Sequence, residues 1–505
     1  MSSLFKGGRL GSVRKDVINF TSSIRTDKRL LRFVVSINKA HVVMMMEKKI
    51  VNDSTGTKLL QALNELELGM RTKSGIEDIH LAIEEEVTKR TGSEVGGNLH
   101  IGKSRNDQVS TAIRMALREN LIDVVLLITQ LQETLVQIAT KNLKTVIPGF
   151  THLQPAQPVT FAHYLLSYND MLDRSLHRLQ ENFQRVNLCP MGAGALATSS
   201  FPLARELVAA LLGFNGILEN SMDAVGSRDF ILETLADLTI IAVDVSRLTE
   251  DLIVWGSPEF GIIEFPDDFS STSSIMPQKK NPDVLEVVRA RMSHVIGGFM
   301  TAVTIMKSLP SSYNMDMQEV TPCLWEALHD ISSSLVILSK FTFHLKVNKD
   351  VYNKPFLNFS TSTELVNILT RKYGVPFRTA HKIVGVMTKC LIENGLTLSN
   401  VTSELIQTVA KDLGVPSLDV KSEDIQQSAD PLKFVEAHNV RGGPSPVEVR
   451  RMIQARKSET AVSKKWGNDN KSRLAEANEN LQTTVKESLT HSGRLRAQRN
   501  QRGSR

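Results

Sequence analysis

Three short polar segments of the 505-residue chain combine Ser, His, Lys, Asn and Arg side chains in patterns suited to catalysis. They are residues 96–108, 149–158 and 270–283, and each is followed by a stretch of apolar periodicity. Loops of such composition bind ligands more often than they pack a core. The third contains four serines, a Lys-Lys pair and an Asn-Pro step. The chain therefore offers acid, base and anion-binding groups in three loops.

The third segment resembles the signature of the fumarase/aspartase superfamily, in the run Ser273-Ser274-Ile275-Met276-Pro277-Gln278-Lys279-Lys280-Asn281-Pro282. Other segments are similar to argininosuccinate lyases in particular, namely 7–9, 77–80, 104–108 and 151–158. This resemblance extends to Gly442-Gly443. It implies an all-α, long-helix bundle of the fumarase/aspartase type, with central helices forming a tetrameric core. It also implies reversible cleavage of argininosuccinate into L-arginine and fumarate without a metal or organic cofactor.

Such a reaction removes a carbon-bound proton and generates a doubly charged aci-carboxylate, which must be stabilised as it forms. By the resemblance, Ser273 is the base, and Lys279 stabilises both its alkoxide and the carbanionic intermediate. Asn281 and nearby backbone amides add hydrogen bonds to a carboxylate. His152 is the acid for the leaving nitrogen, and Glu286 is its charge partner. Taken singly, Ser273 and His152 would be an ordinary turn residue and a structural histidine.

The resemblance also implies a set of substrate contacts that divide between the two ends of the molecule. The amino-acid portion is expected to be held by Ser23 and Asp27. Without the resemblance, these residues would be interpreted as a helix N-cap and a surface carboxylate. The remaining expected contacts are Arg105, Asn106 and Thr151 at the fumarate end, and Tyr313 and Gln318 at the arginine end. Arg105 has the geometry for bidentate binding of a carboxylate. His80 either supports this site or is an ordinary helix residue.

The family pattern is broken at several positions. Thr321 replaces a lysine that many members use to contact a substrate carboxylate. Thr272 replaces a glycine before the serine pair, which restricts the backbone where positive φ is easiest for glycine. Val34 and Asn38 replace an acidic residue and a serine. We interpret these changes as a divergent, archaeal-type branch, because Ser273, Lys279 and His152 are all retained.

Long helices are the elements that must position these loops. Residues 108–146 contain neither Gly nor Pro, and their apolar residues recur mostly every three or four positions, which indicates one long helix. Similar patterns predict helices over 160–187, 229–255 and 282–307, the last with Asn281 as N-cap and Pro282 as first helical residue. Strand-like alternation is scarce. The pattern therefore favours a large helical bundle over an α/β fold.

Length and composition predict several folded units and a separate tail. We expect a mostly helical unit over 1–104, a central long-helix unit over 105–350 and a helical unit over 351–460. The remainder, 461–505, is polar and predicted to be mobile, so truncation after Lys464 should leave fold and rate nearly unchanged. Residues 456–505 hold twelve Lys/Arg and five Asp/Glu, a net +7, so the rest of the chain carries −1 against a total of +6.

Composition also limits where the protein can reside and what it can bind. The apolar stretches are interrupted before the roughly 20 residues that a membrane span requires, and the N-terminus lacks the apolar core of a secretory signal. Three distant cysteines support neither disulfides nor a zinc site. We therefore expect a cytoplasmic protein, and the family resemblance implies a homotetramer with active sites shared between subunits. Nucleic-acid binding by the basic tail is not favoured, because no aromatic residues interleave with its arginines.

Two alternative functions remain open from the sequence. One is another fumarate-releasing lyase of the superfamily, such as adenylosuccinate lyase, fumarase or aspartase, against which the 104–107 and 278–280 segments argue. The other is a non-catalytic relative like the lens crystallins, against which the retained acid, base and lysine argue. A substrate profile would separate them.

Overall fold

The structure is a computed structural model that describes residues 14–67, 76–354, 357, 359–415 and 417–502. Side chains are described for the same residues except 67 and 491–502. The 7–9 segment therefore lies outside the described residues. The chain is mostly helical, which confirms the predicted all-α class. The helices before the central bundle are α1 Lys15–Thr21, α2 Ile24–Asp27, α3 Leu31–Glu47, α4 Asp53–Glu67, α5 Ile79–Thr91 and α6 Ser93–Gly96.

Five long helices form the centre of the molecule. They are α7 Arg105–Lys141, α8 Phe161–Val186, α11 Asp229–Trp255, α12 Asp283–Met306 and α13 Met317–Phe343, with the short α9 Arg205–Leu211 and α10 Ser221–Gly226 between them. Helix α7 packs on α8 and α13, and α11 packs on α8, α12 and α13. Their facing sides carry the Leu, Ile and Val residues of the main hydrophobic core. The predicted helix bounds are thus reproduced to within a few residues.

The start of α7 shows why the chain turns into a helix there. Ser104 is the N-cap, its Oγ accepting a hydrogen bond from the Asn106 amide, while Asp107 Oδ1 accepts from the Ser104 amide at 3.0 Å. Together these bonds satisfy two helix-end donors. The other oxygen of the buried Asp107 carboxyl accepts from the amides of Gly192 and Gly194. The capping box therefore also fixes the loop that follows α8.

The described strands form three short antiparallel pairs. These are β1 Val146–Thr151 with β2 Gln154–Thr160, β3 Ile263–Glu264 with β6 Lys346–Val347, and β4 Ser271–Thr272 with β5 Lys280–Asn281. Asn281 is consequently a strand residue, and α12 has Pro282 as its N-cap. The prediction of Asn281 as N-cap was wrong, because its backbone pairs with β4 instead.

A smaller group of helices follows the bundle and has its own core, built around Leu365, Ile383, Leu391 and Ile406. The helices are α14 Ser362–Tyr373, α15 Phe377–Glu393, α16 Ser403–Asp412, α17 Ser422–Ala429 and α18 Pro431–Ala437. Helix α18 contacts both β1 and β2. This small unit therefore supports the hairpin that carries His152.

The last helix, α19 Pro446–Arg502, is 57 residues long and returns along the bundle. It packs on α7, α8, α3 and α4. Leu481 and Val485 are both 1% exposed, and the Trp466 ring packs edge-on against Phe183. The prediction of a mobile tail from residue 461 was wrong over the part whose side chains are described. A few apolar anchors suffice because polar contacts, such as Lys39 Nζ to Gln482 Oε1 at 3.2 Å, complete the interface.

Helix α7 is also long and apolar enough to cross a membrane by length and composition. In its most apolar 18-residue stretch, 61% is buried inside the chain. The core helix of a soluble bundle can be equally long and apolar. The packing of α7 on α8, α13 and α19 accounts for its apolar composition.

Candidate functional site

A cavity of about 150 Å³ lies where α2, α5, α7 and α13 approach one another. Six of the eight predicted substrate-binding residues line it: Ser23, Asp27, Arg105, Asn106, Tyr313 and Gln318. They come from positions as far apart as 23 and 318, so only the fold brings them together. Thr321 and His80 also line the cavity.

Ser23 and Asp27 form one polar edge of the cavity. Ser23 precedes α2, and its Oγ donates a hydrogen bond of 2.5 Å to Asp27 Oδ2. Burial raises the pKa of the Asp27 carboxyl to about 6, although the Ser23 hydrogen bond opposes this shift. At neutral pH the carboxylate is charged, and within the described residues no Lys or Arg forms an ion pair with it. It is suited to receive a cationic group from a ligand.

Arg105, the first residue of α7, is held by two acidic residues. Its Nη1 lies 2.6 Å from Asp78 Oδ2 and 3.2 Å from Glu77 Oε1. Asp78 is also the N-cap of α5 and accepts from the Leu81 amide at 2.8 Å. The guanidinium is therefore fixed at the junction of α5 and α7, with its positive charge largely neutralised by protein carboxylates.

His80 is buried beside this junction. Neither of its ring nitrogens has a hydrogen-bond partner among the described residues, and burial lowers its pKa to about 4. The imidazole is therefore neutral at physiological pH. Its side chain also lines the cavity.

Tyr313 and Gln318 also line the cavity. Gln318 Nε2 donates to the Thr21 carbonyl at 2.9 Å, which ties α13 to the segment that carries Ser23. Burial raises the pKa of the Tyr313 hydroxyl, so it remains protonated and able to donate. Thr321 presents a hydroxyl where a family lysine would bring a charge. Asn106 Nδ2 donates to the Ala195 carbonyl at 3.2 Å.

The departure at Asn38 has a structural role. Its Oδ1 accepts a hydrogen bond from Lys103 Nζ, and its Nδ2 donates to the Val34 carbonyl at 2.8 Å. Burial lowers the pKa of Lys103 to about 8. Asn38 thus anchors the residue immediately before the Ser104 cap, and so the entry to α7.

His152 and Thr151 lie at the tip of the β1–β2 hairpin. Thr151 pairs with Gln154, so His152 and Leu153 form a two-residue turn, with φ of 55° and 57°. Such turns require positive φ at both central residues and usually contain Asn or Gly, so the turn is strained. Phe150, close to the turn, packs its ring 5.3 Å from that of Phe260. The His152 imidazole is exposed at the tip.

Ser273 lies just after β4, with Lys279 just before β5. The Ser273 Oγ accepts hydrogen bonds from the backbone amides of Ile275 and Met276, at 3.3 and 3.2 Å. Two amide donors on one hydroxyl oxygen stabilise its ionised form. Lys279 is exposed at the other end of the loop.

The strands at the base of this loop are anchored by Lys280 and Asn281. Lys280 Nζ binds the Phe265 carbonyl and lies 2.5 Å from Asp267 Oδ1, while Asn281 Nδ2 donates to Ser271 Oγ at 3.3 Å. Thr272 pairs with Lys280 in the ladder and has no positive φ. Glycine is therefore not required at position 272 in this conformation.

The catalytic candidates are not assembled within one chain. In the part of the chain that the structure describes, His152, Ser273, Lys279 and Glu286 do not line the cavity, and neither do Thr151 and Asn281. The expected pairing of His152 with Glu286 is not made, and Glu286 is exposed in the first turn of α12. The chain thus presents a cavity lined by six of the expected substrate contacts and, separately, two loops that carry candidate acid and base groups.

Arg228 also lines the cavity, although no motif in the sequence identifies it. It lies between α10 and α11 and is 1% exposed. A single arginine before an apolar helix has no characteristic spacing, so its role follows only from its surroundings in the fold.

The chain is similar to known proteins in both sequence and structure. A family model described as lyase matches residues 14–297, and one described as argininosuccinate lyase C-terminal matches residues 359–436. The argininosuccinate lyase of Methanocaldococcus jannaschii is 40% identical over 90% of this chain and 93% of its own. That of Methanothermobacter thermautotrophicus is 42% identical, over 90% and 98% respectively.

Solved structures give the same fold. A crystal structure of EDDS lyase in complex with formate superimposes with a TM-score of 0.87 at 29% identity, covering 97% of this chain and 99% of that one. A class II fumarase from Schistosoma mansoni superimposes with a TM-score of 0.70 at 15% identity, covering 85% and 96%. The second likeness concerns the fold alone.

Proposed function

Since this chain belongs to the argininosuccinate lyase family, we propose that it cleaves argininosuccinate into L-arginine and fumarate, the last step of arginine biosynthesis. The observation that carries this proposal is identity of about 40% to argininosuccinate lyases over nine-tenths of the chain. The cavity lined by six of the expected substrate contacts supports it. The reaction is a β-elimination that breaks a carbon–nitrogen bond.

Ser273 is the proposed base. It removes the proton from Cβ of the succinate portion, the carbon next to the one that carries the departing nitrogen. A hydroxyl is a weak base, so its alkoxide needs stabilisation. The amides of Ile275 and Met276 supply two hydrogen bonds to Oγ. The Lys279 ammonium, from the same loop, supplies positive charge to the alkoxide and to the aci-carboxylate, and Asn281 adds a hydrogen bond to that carboxylate.

His152 is the proposed acid that protonates the departing guanidinium nitrogen, directly or through water. A carboxylate beside a histidine raises its pKa and orients the ring, and Glu286 has that role once the site is complete. Because His152 is exposed at the tip of the β1–β2 hairpin, its ring is free to contribute to a site completed by another subunit. Thr151, beside it, donates to a substrate carboxylate.

The cavity holds the substrate between two charged ends. Asp27, supported by Ser23, binds the α-ammonium group of the arginine portion. Arg105 and Asn106 face the succinate portion that becomes fumarate. Tyr313 and Gln318 hold the arginine end. The carbon–nitrogen bond to be broken then lies at the mouth of the cavity, where the catalytic loops approach.

The complete site is formed in a homotetramer, with loops from different subunits. Two features support this part of the proposal. First, large apolar side chains are exposed directly beside the catalytic residues: Leu153 next to His152 is 70% exposed, and Ile275 near Ser273 is 83% exposed. Second, the central helices α11 and α12 carry further exposed apolar residues, namely Ile240, Val243, Val287, Ile296 and Met300. Large apolar side chains exposed to solvent in such number favour association.

A substrate profile tests the proposed reaction. The purified protein is incubated with argininosuccinate, adenylosuccinate, malate, aspartate and EDDS, and fumarate is followed by its ultraviolet absorbance. Turnover with argininosuccinate well above the others supports the proposal. A preference for another substrate points to a different fumarate-releasing lyase, and turnover of none points to a non-catalytic relative. As a biosynthetic enzyme it is expected in the cytoplasm, which cell fractionation tests.

A further inference from the structure

A second cavity, of about 390 Å³, lies between the last helix α19 and the bundle. Its walls come from α3, α7, the end of α9 and α19, and none of its lining residues also lines the substrate cavity that contains Arg105. A volume of this size is within the range of small-molecule sites. The proposed reaction gives this cavity no role.

The interior of the second cavity is mostly apolar. Each wall contributes buried side chains to it, namely Phe33, Met115, Ile122, Leu212 and Leu481. The apolar part of a ligand placed there would lose its contact with water, which favours binding.

The mouth of this cavity is charged, but its charges are paired. Arg32 binds Glu119, and Lys471 Nζ lies 3.2 Å from Asp123 Oδ1. The side chains of Arg32, Asp123 and Lys471 are mostly exposed, so these ion pairs lie in high dielectric and hold little energy. They leave Arg118 as the further cation on the cavity wall.

Arg118 is 4% exposed and has only neutral hydrogen-bond partners. Its Nη1 donates to Asn187 Oδ1 at 2.9 Å and its Nη2 to the Leu212 carbonyl at 2.6 Å, whereas its Nε has no partner among the described residues. In the same part of the chain no Asp or Glu forms a salt bridge with it, and Glu119, whose charge acts on it most strongly, is bound by Arg32. Burial lowers the pKa of Arg118 to about 10, so it is still a cation at neutral pH. A buried cation is costly to the fold unless an anion compensates it.

We propose that this cavity is a second ligand site, which takes an organic carboxylate with an apolar body and places the carboxylate against the Arg118 guanidinium. The apolar body fills the interior. Binding then joins α19 to α7, because Leu474 and Leu481 of α19 and Met115 and Ile122 of α7 line the same cavity. The site does not depend on the proposed reaction, since the two cavities share no lining residue.

Octanoate is the probe for this site, and octanamide, which has the same chain without the charge, is compared with it. Titration calorimetry of the full chain at neutral pH should show octanoate binding about 10- to 100-fold more tightly than octanamide, the effect of a hydrogen bond to a charged group. Butyrate should bind roughly tenfold more weakly than octanoate or worse, because its shorter chain buries less apolar surface. Octanoate should also raise the thermal midpoint, since it binds the folded state.

Two variants and their controls locate the site. Arg118→Met should bring the ratio of octanoate to octanamide affinity close to one. Arg114→Met should keep the wild-type ratio, because Arg114 is also buried with an unpartnered Nε but does not line this cavity. Ala475→Trp should abolish octanoate binding by filling the cavity, whereas Ser472→Trp, at an exposed position of α19 outside the cavity, should not.

Four results would overturn the proposal. They are no binding of octanoate at millimolar concentration, equal binding of octanoate and octanamide, a folded Arg118→Met protein with the wild-type ratio, and octanoate binding that Ala475→Trp leaves unchanged. The last result would place octanoate elsewhere on the protein, the substrate cavity included. Ala475→Trp also keeps the proposal testable if Arg118→Met does not fold. Failure of the proposed function is distinct, because octanoate binding is measured without argininosuccinate.

Discussion

The Ser23 hydroxyl donates a hydrogen bond of 2.5 Å to Oδ2 of Asp27, and both side chains line the same cavity. Burial nevertheless raises the pKa of Asp27 to about 6. The folded state therefore binds a proton more tightly than the unfolded chain, whose carboxyl has a pKa of 3.8. The resulting stabilisation is fully present below pH 3.8 and is lost as pH rises through about 6. Above that pH, the charged carboxylate is retained at a cost to stability.

The substitution Asp27→Asn should raise the thermal midpoint at pH 8 and have much less effect at pH 4, where Asp27 is largely protonated in the native protein. The KM for argininosuccinate should rise about tenfold or more, because a neutral amide binds an ammonium group less strongly. Thermal melts at both pH values and initial rates at pH 8 measure these effects. Asp469→Asn, at an exposed position of α19, should change neither. An equal gain in midpoint at both pH values would contradict the electrostatic explanation.

The substitution Ser273→Ala should reduce kcat by several orders of magnitude while leaving substrate affinity largely intact, because it removes the base and no cavity contact. Lys279→Met should be comparably damaging. Single-turnover rates and equilibrium binding of argininosuccinate separate the two quantities. Ser274→Ala is the neighbouring control and should retain most activity. Turnover of Ser273→Ala close to that of the wild type would exclude Ser273 as the base.

Lys280→Met should act differently from Lys279→Met. Lys280 binds Asp267 and the Phe265 carbonyl at the base of the catalytic loop, so its loss should loosen the loop without removing a group that acts on substrate. We expect a kcat loss at least tenfold smaller than that of Lys279→Met. Steady-state measurement of kcat for the two variants tests this expectation. Equal losses of kcat would place Lys280 among the groups that contact the substrate.

The last helix should contribute to stability, contrary to the mobile tail predicted from composition. Leu481→Ala removes a side chain that is 1% exposed and should cost about 2–5 kcal/mol. Truncation after Lys464 should cost more, because it also removes Trp466 and Val485. Val462→Ala, 70% exposed on the same helix, is the control and should leave the thermal midpoint nearly unchanged. A truncated chain that melts like the full one would show that α19 does not support the bundle.

Shared active sites predict complementation between inactive variants. Ser273→Ala and His152→Asn chains, refolded together, should regain a fraction of wild-type activity, since some sites would receive both intact loops from different subunits. Ser273→Ala mixed with Lys279→Met should regain none, because both changes lie in one loop. Activity is measured across mixing ratios, with sedimentation to establish the assembly. Absence of recovery at every ratio, or full activity in a monomer, would refute shared sites.

The main helices were predictable because their apolar residues recur every three or four positions along the chain. Helix α11, for example, has the bounds that this spacing predicts. Prediction from the sequence failed for α19, whose mean composition is polar and whose docking depends on isolated anchors such as Leu481 and on contacts like Arg473 Nη2 to Asn215 Oδ1 at 2.7 Å. A partner 258 residues away leaves no local pattern. The family was recognised from contiguous motifs, and it is confirmed by the relatives and family models.

The candidate site was predictable only where its residues belong to such motifs. Ser23, Arg105 and Gln318 were named from family segments, and the fold brings them to one cavity. Arg228 was not, because an arginine in a loop acquires significance only when its burial beside the cavity is known. Asn38 departs visibly from the family pattern, but its contact with Lys103 depends on the packing of α3 against the entry to α7, which the sequence does not show.

The most direct test of the account is the stoichiometry of the reaction. Purified protein is incubated with argininosuccinate, and substrate, L-arginine and fumarate are quantified together over time by chromatography. We expect one arginine and one fumarate for each argininosuccinate consumed, and we expect that adding both products to fresh enzyme regenerates argininosuccinate. Folded protein that consumes no argininosuccinate, or that releases fumarate from it without an equal amount of arginine, would contradict the assignment of this chain as an argininosuccinate-cleaving enzyme.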